Sequence, residues 1–249
     1  MKILVIDDEK PTLSMFKLFL TAYGYEVITA ENGEEGLVLF KEVQPEIVFT
    51  DIRMPGIDGL EVLRQIRKLN QTSQVIIITG HGDMEKAVEA LDLEASDFIN
   101  KPVERKALNS ALARAEKRAK MSQTPGFKLR IDPKSSPCEI YIQGKLSLSA
   151  RDDFAGLLGF KDKHPRVIFC FDETFSIDRE GITLLMESVQ QMKEKGIGIS
   201  MKGLSYNYYR FFQMAGMDKM AAIEPELPSE STSESTSEST GELPGDPTP

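Results

Sequence analysis

The chain has 249 residues, 41% of them hydrophobic, and a formal net charge of −9. This length suits two domains with apolar cores. No apolar run approaches the ~20 residues of a membrane span, and no segment has the concentrated basic surface typical of nucleic-acid binding. The strand pattern that begins at the second residue predicts no signal peptide, and two cysteines without metal-type spacing fit a reducing cytoplasm. We therefore expect a cytoplasmic protein that neither inserts into a membrane nor binds nucleic acid.

Strand-like apolar runs alternate with segments of helical period through the first half of the chain. The runs lie at 3–6, 26–29, 46–50, 75–78 and 97–99. Between them, apolar residues recur at three- and four-residue steps, as at Leu60, Leu63 and Ile66. This alternation predicts a doubly wound α/β fold with a five-stranded parallel sheet.

Polar side chains end four of these strand patterns. Asp7 and Asp8 follow the first run, Asp51 ends the third, Thr79 ends the fourth and Lys101 follows the fifth. The carboxyl ends of parallel strands share one edge of a sheet, so these residues are expected to meet. Crowded carboxylates favour a hard divalent cation such as Mg²⁺. The pattern indicates an aspartyl-phosphate site, in which the central aspartate is the nucleophile and the hydroxyl and ammonium contact phosphoryl oxygens.

Residues 1–121 resemble the receiver domain of response regulators in bacterial two-component systems. The matching stretches are Ile-Asp-Asp-Glu (6–9), Asp-Ile-Arg-Met-Pro-Gly-Ile-Asp-Gly (51–59), Thr-Gly-His-Gly (79–82) and Asn-Lys-Pro (100–102). The resemblance implies a flavodoxin-like fold and phosphorylation of Asp51 by a histidine kinase. It also allows a dimer formed through receiver faces.

The same resemblance assigns individual roles. The implied Mg²⁺ ligands are Asp7, Asp8, Asp51 and the backbone carbonyl of Arg53. Thr79 and Phe98 take the switch positions, and Thr79 and Lys101 contact the phosphoryl group. The peptide bond between Lys101 and Pro102 is expected to be cis.

The fifth helix ends the first predicted domain. Its last turns carry four basic residues: Arg114, Lys117, Arg118 and Lys120. We interpret them as solvated side chains that complement the helix dipole rather than as a binding surface. Residues 122–126, Ser-Gln-Thr-Pro-Gly, stop the helix and are predicted to form a linker.

A second unit is predicted at 127–224. Strand patterns occur at 127–132, 139–146, 166–172 and 196–203, with helical patterns at 149–160, in the segment 175–189 and around Tyr208 and Phe211. The tail 225–249 repeats Ser-Glu-Ser-Thr three times and is predicted to be disordered and acidic.

The second unit resembles a STAS domain, the module of anti-sigma-factor antagonists. The resemblance rests on the turn Gly144-Lys-Leu, the loop Ile177-Asp178-x-x-Gly181, the strand end Lys202-Gly203 and the ending 212–217. It implies a smaller α/β domain with a mixed sheet that binds a protein partner, such as an anti-sigma factor or a switch kinase.

One position departs from that family. A phosphorylatable Ser or Thr often precedes the loop glycine, Gly181, but this chain has Glu180 there. A serine-kinase switch is therefore excluded at this position, and control would pass to Asp51. Asp178 and Glu180 either favour the helix N-terminus electrostatically, or Glu180 mimics a phosphoserine.

The expected protein is a signalling regulator rather than an enzyme, and three other functions are less consistent with the sequence. A transcription factor is disfavoured because no basic helix-turn-helix pattern follows residue 122. A haloacid-dehalogenase-type phosphatase requires a second aspartate two residues after the nucleophile, where this chain has Arg53. The alternative reading is a receiver-controlled STAS module that binds a nucleotide or lipid, although no P-loop supports it.

Overall fold

The structure, a computed structural model, describes residues 1–80, 84–121, 126–157 and 164–225. Two five-stranded sheets with their helices make up these residues, and we call them the first and second units. The predicted linker, apart from its last residue, lies outside the described residues. So do the end of the helix predicted at 149–160 and nearly all of the predicted tail.

The first unit contains the predicted alternation of strands and helices. Its elements are β1 (Lys2–Ile6), α1 (Lys10–Ala22), β2 (Glu26–Ala30), α2 (Gly33–Val43), β3 (Ile47–Asp51), α3 (Gly59–Leu69), β4 (Gln74–Thr79), α4 (Met84–Asp92), β5 (Asp97–Asn100) and α5 (Arg105–Ala119). The sheet order is β2-β1-β3-β4-β5, and every pair is parallel. The predicted five-stranded parallel sheet is therefore confirmed.

Helices cover both faces of this sheet. Phe16 of α1 and Ala111 of α5 pack with the strand residues Ile3 and Phe49 on one face. The helices α2, α3 and α4 cover the opposite face. Because β1, β3 and β4 are buried on both faces, their sequences are continuously apolar rather than alternating.

The second unit has a mixed sheet, as expected. Its elements are β6 (Lys128–Asp132), β7 (Cys138–Gln143), β8 (Lys145–Leu146), α6 (Arg151–Leu157), β9 (Arg166–Phe171), β10 (Ser176–Ile177), α7 (Arg179–Glu194), β11 (Gly198–Leu204), α8 (Tyr206–Met214) and β12 (Ala222–Pro225). The sheet order is β12-β11-β9-β7-β6, in which only β6 and β7 are antiparallel among the described strands.

The prediction of a single strand at 139–146 is wrong. Gly144 has a φ of +74°, which breaks the chain into β7 and β8. The residues after this glycine leave the main sheet, and β8 pairs instead with β10 in a separate parallel ribbon. This ribbon brings the segment before α7 close to the first unit.

The cores of the two units are continuous. Phe98 of β5 packs with Tyr208 and Phe211 of α8, so one apolar cluster contains residues of both units. Over the described ranges, no helix combines the length and apolarity needed to cross a bilayer.

Gly203 lies close to the backbone of the neighbouring strand β9. Its φ is +79°, and a Cβ there would lie 2.1 Å from the carbonyl oxygen of Phe171. Gly196 has nearly the same φ, +78°, but a Cβ there would meet nothing within 4 Å. We expect Gly203→Ala to lower the free energy of unfolding by more than about 3 kcal/mol, and the matched Gly196→Ala by about 1 kcal/mol. Urea unfolding measures both, and equal losses would contradict the close approach.

Candidate functional site

The strand ends of the first unit bring two buried carboxylates and one ammonium together. Asp51 ends β3 and is 4% exposed, and Asp7 follows β1 and is fully buried. Lys101 Nζ lies 3.2 Å from Asp51 Oδ1 and 3.3 Å from Asp7 Oδ2. One lysine therefore bridges two carboxylates from neighbouring strands.

The two carboxylates and the ammonium together carry more negative than positive charge. Burial raises the pKa of Asp51 to about 6, with a further rise from Asp7 and an opposing effect from Lys101. Burial also raises the pKa of Asp7. Burial lowers the pKa of Lys101, but attraction to the two carboxylates outweighs it, so the net pKa is raised. A single ammonium does not fully compensate two buried carboxylates.

The other predicted metal ligands border this pair. Asp8 is exposed next to Asp7, and the backbone N–H of Arg53 donates to Asp51 Oδ2 at 3.2 Å. No group of three or more His, Cys, Asp or Glu residues within the described part of the chain is placed to hold a metal ion. Mg²⁺ usually keeps several waters and takes only one or two protein carboxylates. The donor set of Asp7 and Asp51 fits that ion.

The predicted switch residues lie on the two strands beyond Asp51. Thr79 ends β4, is fully buried, and its hydroxyl donates to the carbonyl of Gly80 at 3.2 Å. Phe98 lies in β5 and is 1% exposed. The bond between Lys101 and Pro102 is cis, as expected. The structure thus places Thr79 and Lys101 at the same sheet edge as Asp51.

The aromatic ring of Phe98 faces the second unit. Its centroid lies 5.9 Å from that of Tyr208 and 5.7 Å from that of Phe211, both on α8. Both contacts are edge-on, the geometry that aromatic pairs favour. A residue of the predicted switch is therefore part of the contact between the units.

A buried guanidinium lies beside this aromatic contact. Arg114 Nε is 3.2 Å from Asp97 Oδ2, and its Nη2 donates to the carbonyl of Phe175 at 2.7 Å. Its guanidinium carbon lies 4.8 Å from the ring centroid of Tyr208. Arg118 Nη2 also donates to Phe175, at 2.9 Å.

The expectation that the basic end of α5 is solvated is therefore wrong for Arg114 and Arg118. Arg114 is only 5% exposed, and both side chains donate to the second unit. The sequence held a signal for the first of them. Arg114 lies three residues after Ala111, within the apolar stripe of α5, where a charged residue needs a buried partner.

The loop that enters α7 also contacts the first unit. Asp178 caps the helix by accepting from the N–H of Gly181 at 2.9 Å, and Glu180 is exposed in the first turn. Asp92 at the end of α4 accepts from the backbone N–H of Arg179 at 2.8 Å and from its Nε at 3.1 Å. Sequence reasoning missed this contact, because Arg179 occupies an unspecified position of the loop 177–181 and no motif singles out Asp92.

Comparisons with known proteins identify the family that the first unit matches. Residues 3–113 match the family model described as response regulator receiver domain. "Probable transcriptional regulator ycf27" of Porphyra purpurea is 39% identical over 120 residues, which cover 47% of this chain and 49% of that protein. "Transcriptional regulatory protein GlrR" of Escherichia coli K12 is 30% identical over 167 residues, which cover 67% of this chain and 37% of that protein.

A solved structure is similar over the same region. The response regulator receiver domain protein from Clostridium thermocellum is 41% identical and covers 48% of this chain and 96% of its own, with a TM-score of 0.46. The chain spans about half, or less, of the length of the two curated relatives.

The raised pKa of Asp51 predicts a pH-dependent stability. Its value of about 6 in the folded chain exceeds the roughly 4 of an unfolded aspartate, so the folded chain loses stability as the pH rises through this window. Without Mg²⁺, we expect Asp51→Asn to be more stable than the wild type by about 2 kcal/mol at pH 7.5, and the gain to shrink between pH 6 and 4. Urea unfolding across this range measures it. The exposed Asp152→Asn is the control, and a gain independent of pH would contradict the assignment.

Proposed function

Because residues 3–113 of this chain are a response regulator receiver domain, we propose that a histidine kinase phosphorylates Asp51 and that the second unit passes the signal to another protein in the cytoplasm. The observation that carries this proposal is the packing of Phe98, in the strand leading to Lys101, against α8 of the second unit. In this proposal the protein is a signalling module and not an enzyme acting on a separate substrate.

The chemistry at Asp51 is a phosphoryl transfer. A carboxylate oxygen of Asp51 attacks the phosphorus of a phosphohistidine, the phosphorus–nitrogen bond breaks, and the imidazole nitrogen keeps the electron pair. Lys101, already 3.2 Å from Asp51 Oδ1, and the Thr79 hydroxyl contact the phosphoryl oxygens. Asp7, Asp8, Asp51 and the Arg53 carbonyl would hold Mg²⁺, which supplies neutralisation of the donor's charge when bound.

We assign the second unit, residues 127–224, as a STAS domain, which the sequence sets apart from the receiver by the stretch 122–126 and from the tail 225–249. The mixed sheet and the capped loop 177–181 support this assignment. The partner is then a STAS-binding protein such as an anti-sigma factor or a switch kinase. Glu180 is exposed, which leaves it accessible to such a partner, whether it acts as a phosphoserine mimic or only at the helix N-terminus.

The contacts between the units supply the coupling. Phosphoryl oxygens on Asp51 draw Thr79 inward, and the space it leaves lets Phe98 rotate. That rotation changes the packing under Tyr208 and Phe211, while Asp92 holds the STAS loop through Arg179. A packing change on the receiver thus biases the partner-binding loop, on the usual coupling scale of roughly 1–3 kcal/mol.

The names of the relatives raise a rival output, DNA binding. The match to ycf27 covers 120 residues and so supports mainly the receiver. The apolar faces of α7 and α8 are buried, and Tyr208 and Phe211 of α8 face the receiver. The exposed residues of α8 are Arg210 and Met214, and one cation gives little basic surface for a DNA backbone, so we favour a protein partner. A mobility-shift assay with the phosphorylated chain decides between the two outputs.

Phosphorylation of Asp51 is the first test. With Mg²⁺ and acetyl phosphate, we expect one acid-labile phosphoryl group on the wild type and none on Asp51→Asn, which keeps the shape but lacks the nucleophile. Asp8→Ala and addition of EDTA should both reduce labelling. Intact-protein mass spectrometry measures the added mass. Undiminished labelling of Asp51→Asn would sink the assignment.

Coupling is tested by amide hydrogen exchange with beryllofluoride, which mimics the phosphoryl group. We expect exchange in α8 and at the start of α7 to rise several-fold in the wild type and to stay unchanged in Asp51→Asn and much less changed in Thr79→Ala. Asp92→Asn should raise exchange at the start of α7 without beryllofluoride, whereas Glu85→Gln, an exposed change on the same helix, should not. Identical exchange in all samples would show that the receiver does not control the second unit.

A further inference from the structure

A cleft of about 310 Å³ lies between the two units, away from Asp51. Its first wall includes Gln74, the first residue of β4, and Ser96, which precedes β5. Its second wall includes Lys145 of β8 and Ser176 of β10. Gln74 and Ser96 mark the amino ends of the strands, whereas Asp51 lies at the carboxyl ends. The cleft is therefore distinct from the phosphorylation site.

Positive charge dominates the lining. Arg67, Arg118 and Lys145 are the cationic residues of the walls, and Glu94 is the one carboxylate among the described residues that line the cleft. Lys145 Nζ lies 3.6 Å from Glu94 Oε1 and 3.8 Å from Asp178 Oδ2, both long for ion pairs. The cleft thus has an excess of cationic groups, and they come from both units.

The two guanidinium groups are held by main-chain carbonyls rather than by carboxylates. Arg67 donates from Nε and Nη2 to the carbonyl of Glu94, at 3.1 and 2.8 Å, and from Nη1 to that of Ser73 at 2.6 Å. Arg118 donates from Nη1 to Ser96 at 2.9 Å and from Nη2 to Phe175, while its Nε is buried and has no hydrogen-bond partner among the described residues.

Burial lowers the pKa of both arginines, and neighbouring cations add to the effect at Arg118. Burial, with repulsion from Arg114, lowers the pKa of Arg118 to about 10, and burial also lowers the pKa of Arg67. Arg114, by contrast, has Asp97 as its counter-ion. Both guanidinium groups are partly desolvated, and the attraction of Glu94 on Arg67 and of Asp97 on Arg118 does not offset the lowering of their pKa. Their hydrogen bonds to main-chain carbonyls fix their orientation in advance. An anion between them would relieve the cost of their desolvation.

We propose that this cleft is a binding site for a small phosphate-bearing ligand, which Arg67, Arg118 and Lys145 hold between the two units. Guanidinium and ammonium groups together are the usual phosphate-binding set. A volume of about 310 Å³ lies at the lower end of the roughly 300–1,000 Å³ typical of small-molecule sites. Gln71 and Ser176 supply neutral polar groups at the walls. Since the walls belong to different units, the bound ligand stabilises their docked arrangement.

The test is calorimetric titration of the full chain with inorganic pyrophosphate. The chain carries Asp51→Asn and the buffer contains EDTA, so the phosphorylation site does not contribute and failure here is separate from failure of the proposed function. Lys145→Met and Gln71→Glu remove a positive charge or add a negative one at the walls. The matched controls are Lys128→Met and Gln191→Glu, exposed changes outside the cleft.

We expect saturable binding that weakens about tenfold or more in both cleft variants, stays within about twofold in both controls, and declines with added salt. A second titration with citrate separates phosphate recognition from charge alone, and citrate should bind more weakly than pyrophosphate. Absence of binding, or equal binding by the cleft variants and controls, would overturn the site. Tighter binding of citrate would overturn its assignment to phosphate.

Discussion

The arrangement of the two units depends on one buried guanidinium, that of Arg114. A buried ion pair is stable only when its remaining donors and acceptors are satisfied. Within the first unit, Asp97 Oδ1 accepts from the N–H of Phe98 at 2.9 Å. Arg114 Nη2 donates to the carbonyl of Phe175, across the boundary between the units. Separation of the units would remove this partner, so a charge placed inside the first unit holds the second one in place.

The strand β5 connects the ion pair of Asp97 and Arg114 to the site around Asp51. Within its four residues, Asp97 pairs with Arg114 and Phe98 packs on α8, and Lys101 follows immediately at the phosphorylation edge. Four residues of strand span only about 13 Å. In the proposed coupling, a change in charge at Asp51 acts on one end of a short strand whose other end is part of the interface. No longer path through the protein is required.

The two proposed sites lie at opposite ends of the receiver strands. The carboxyl edge carries Asp51, and the amino edge carries the cation-lined cleft, with α5 and β5 between them. A ligand that favours the docked arrangement and a phosphoryl group that disturbs it would oppose each other. Phosphorylation would weaken ligand binding, and the bound ligand would disfavour the phosphorylated state by the same free energy. The chain would then integrate a phosphorylation signal with the level of a small anion.

The sequence alone determined the receiver sheet and the membership of its acidic edge. Runs of apolar residues indicate burial on both faces, and parallel strands bring their carboxyl ends together, so the sequence by itself brings Asp7, Asp51 and Lys101 to one edge. Tertiary structure alone decided which residues of the second unit contact the receiver. Periodicity reports that a position is buried or exposed, but not which residue buries it. The pairing of Asp92 with Arg179, 87 residues apart, and the hydrogen bond from Arg114 to Phe175 follow from the docking of the two units, which no local pattern encodes.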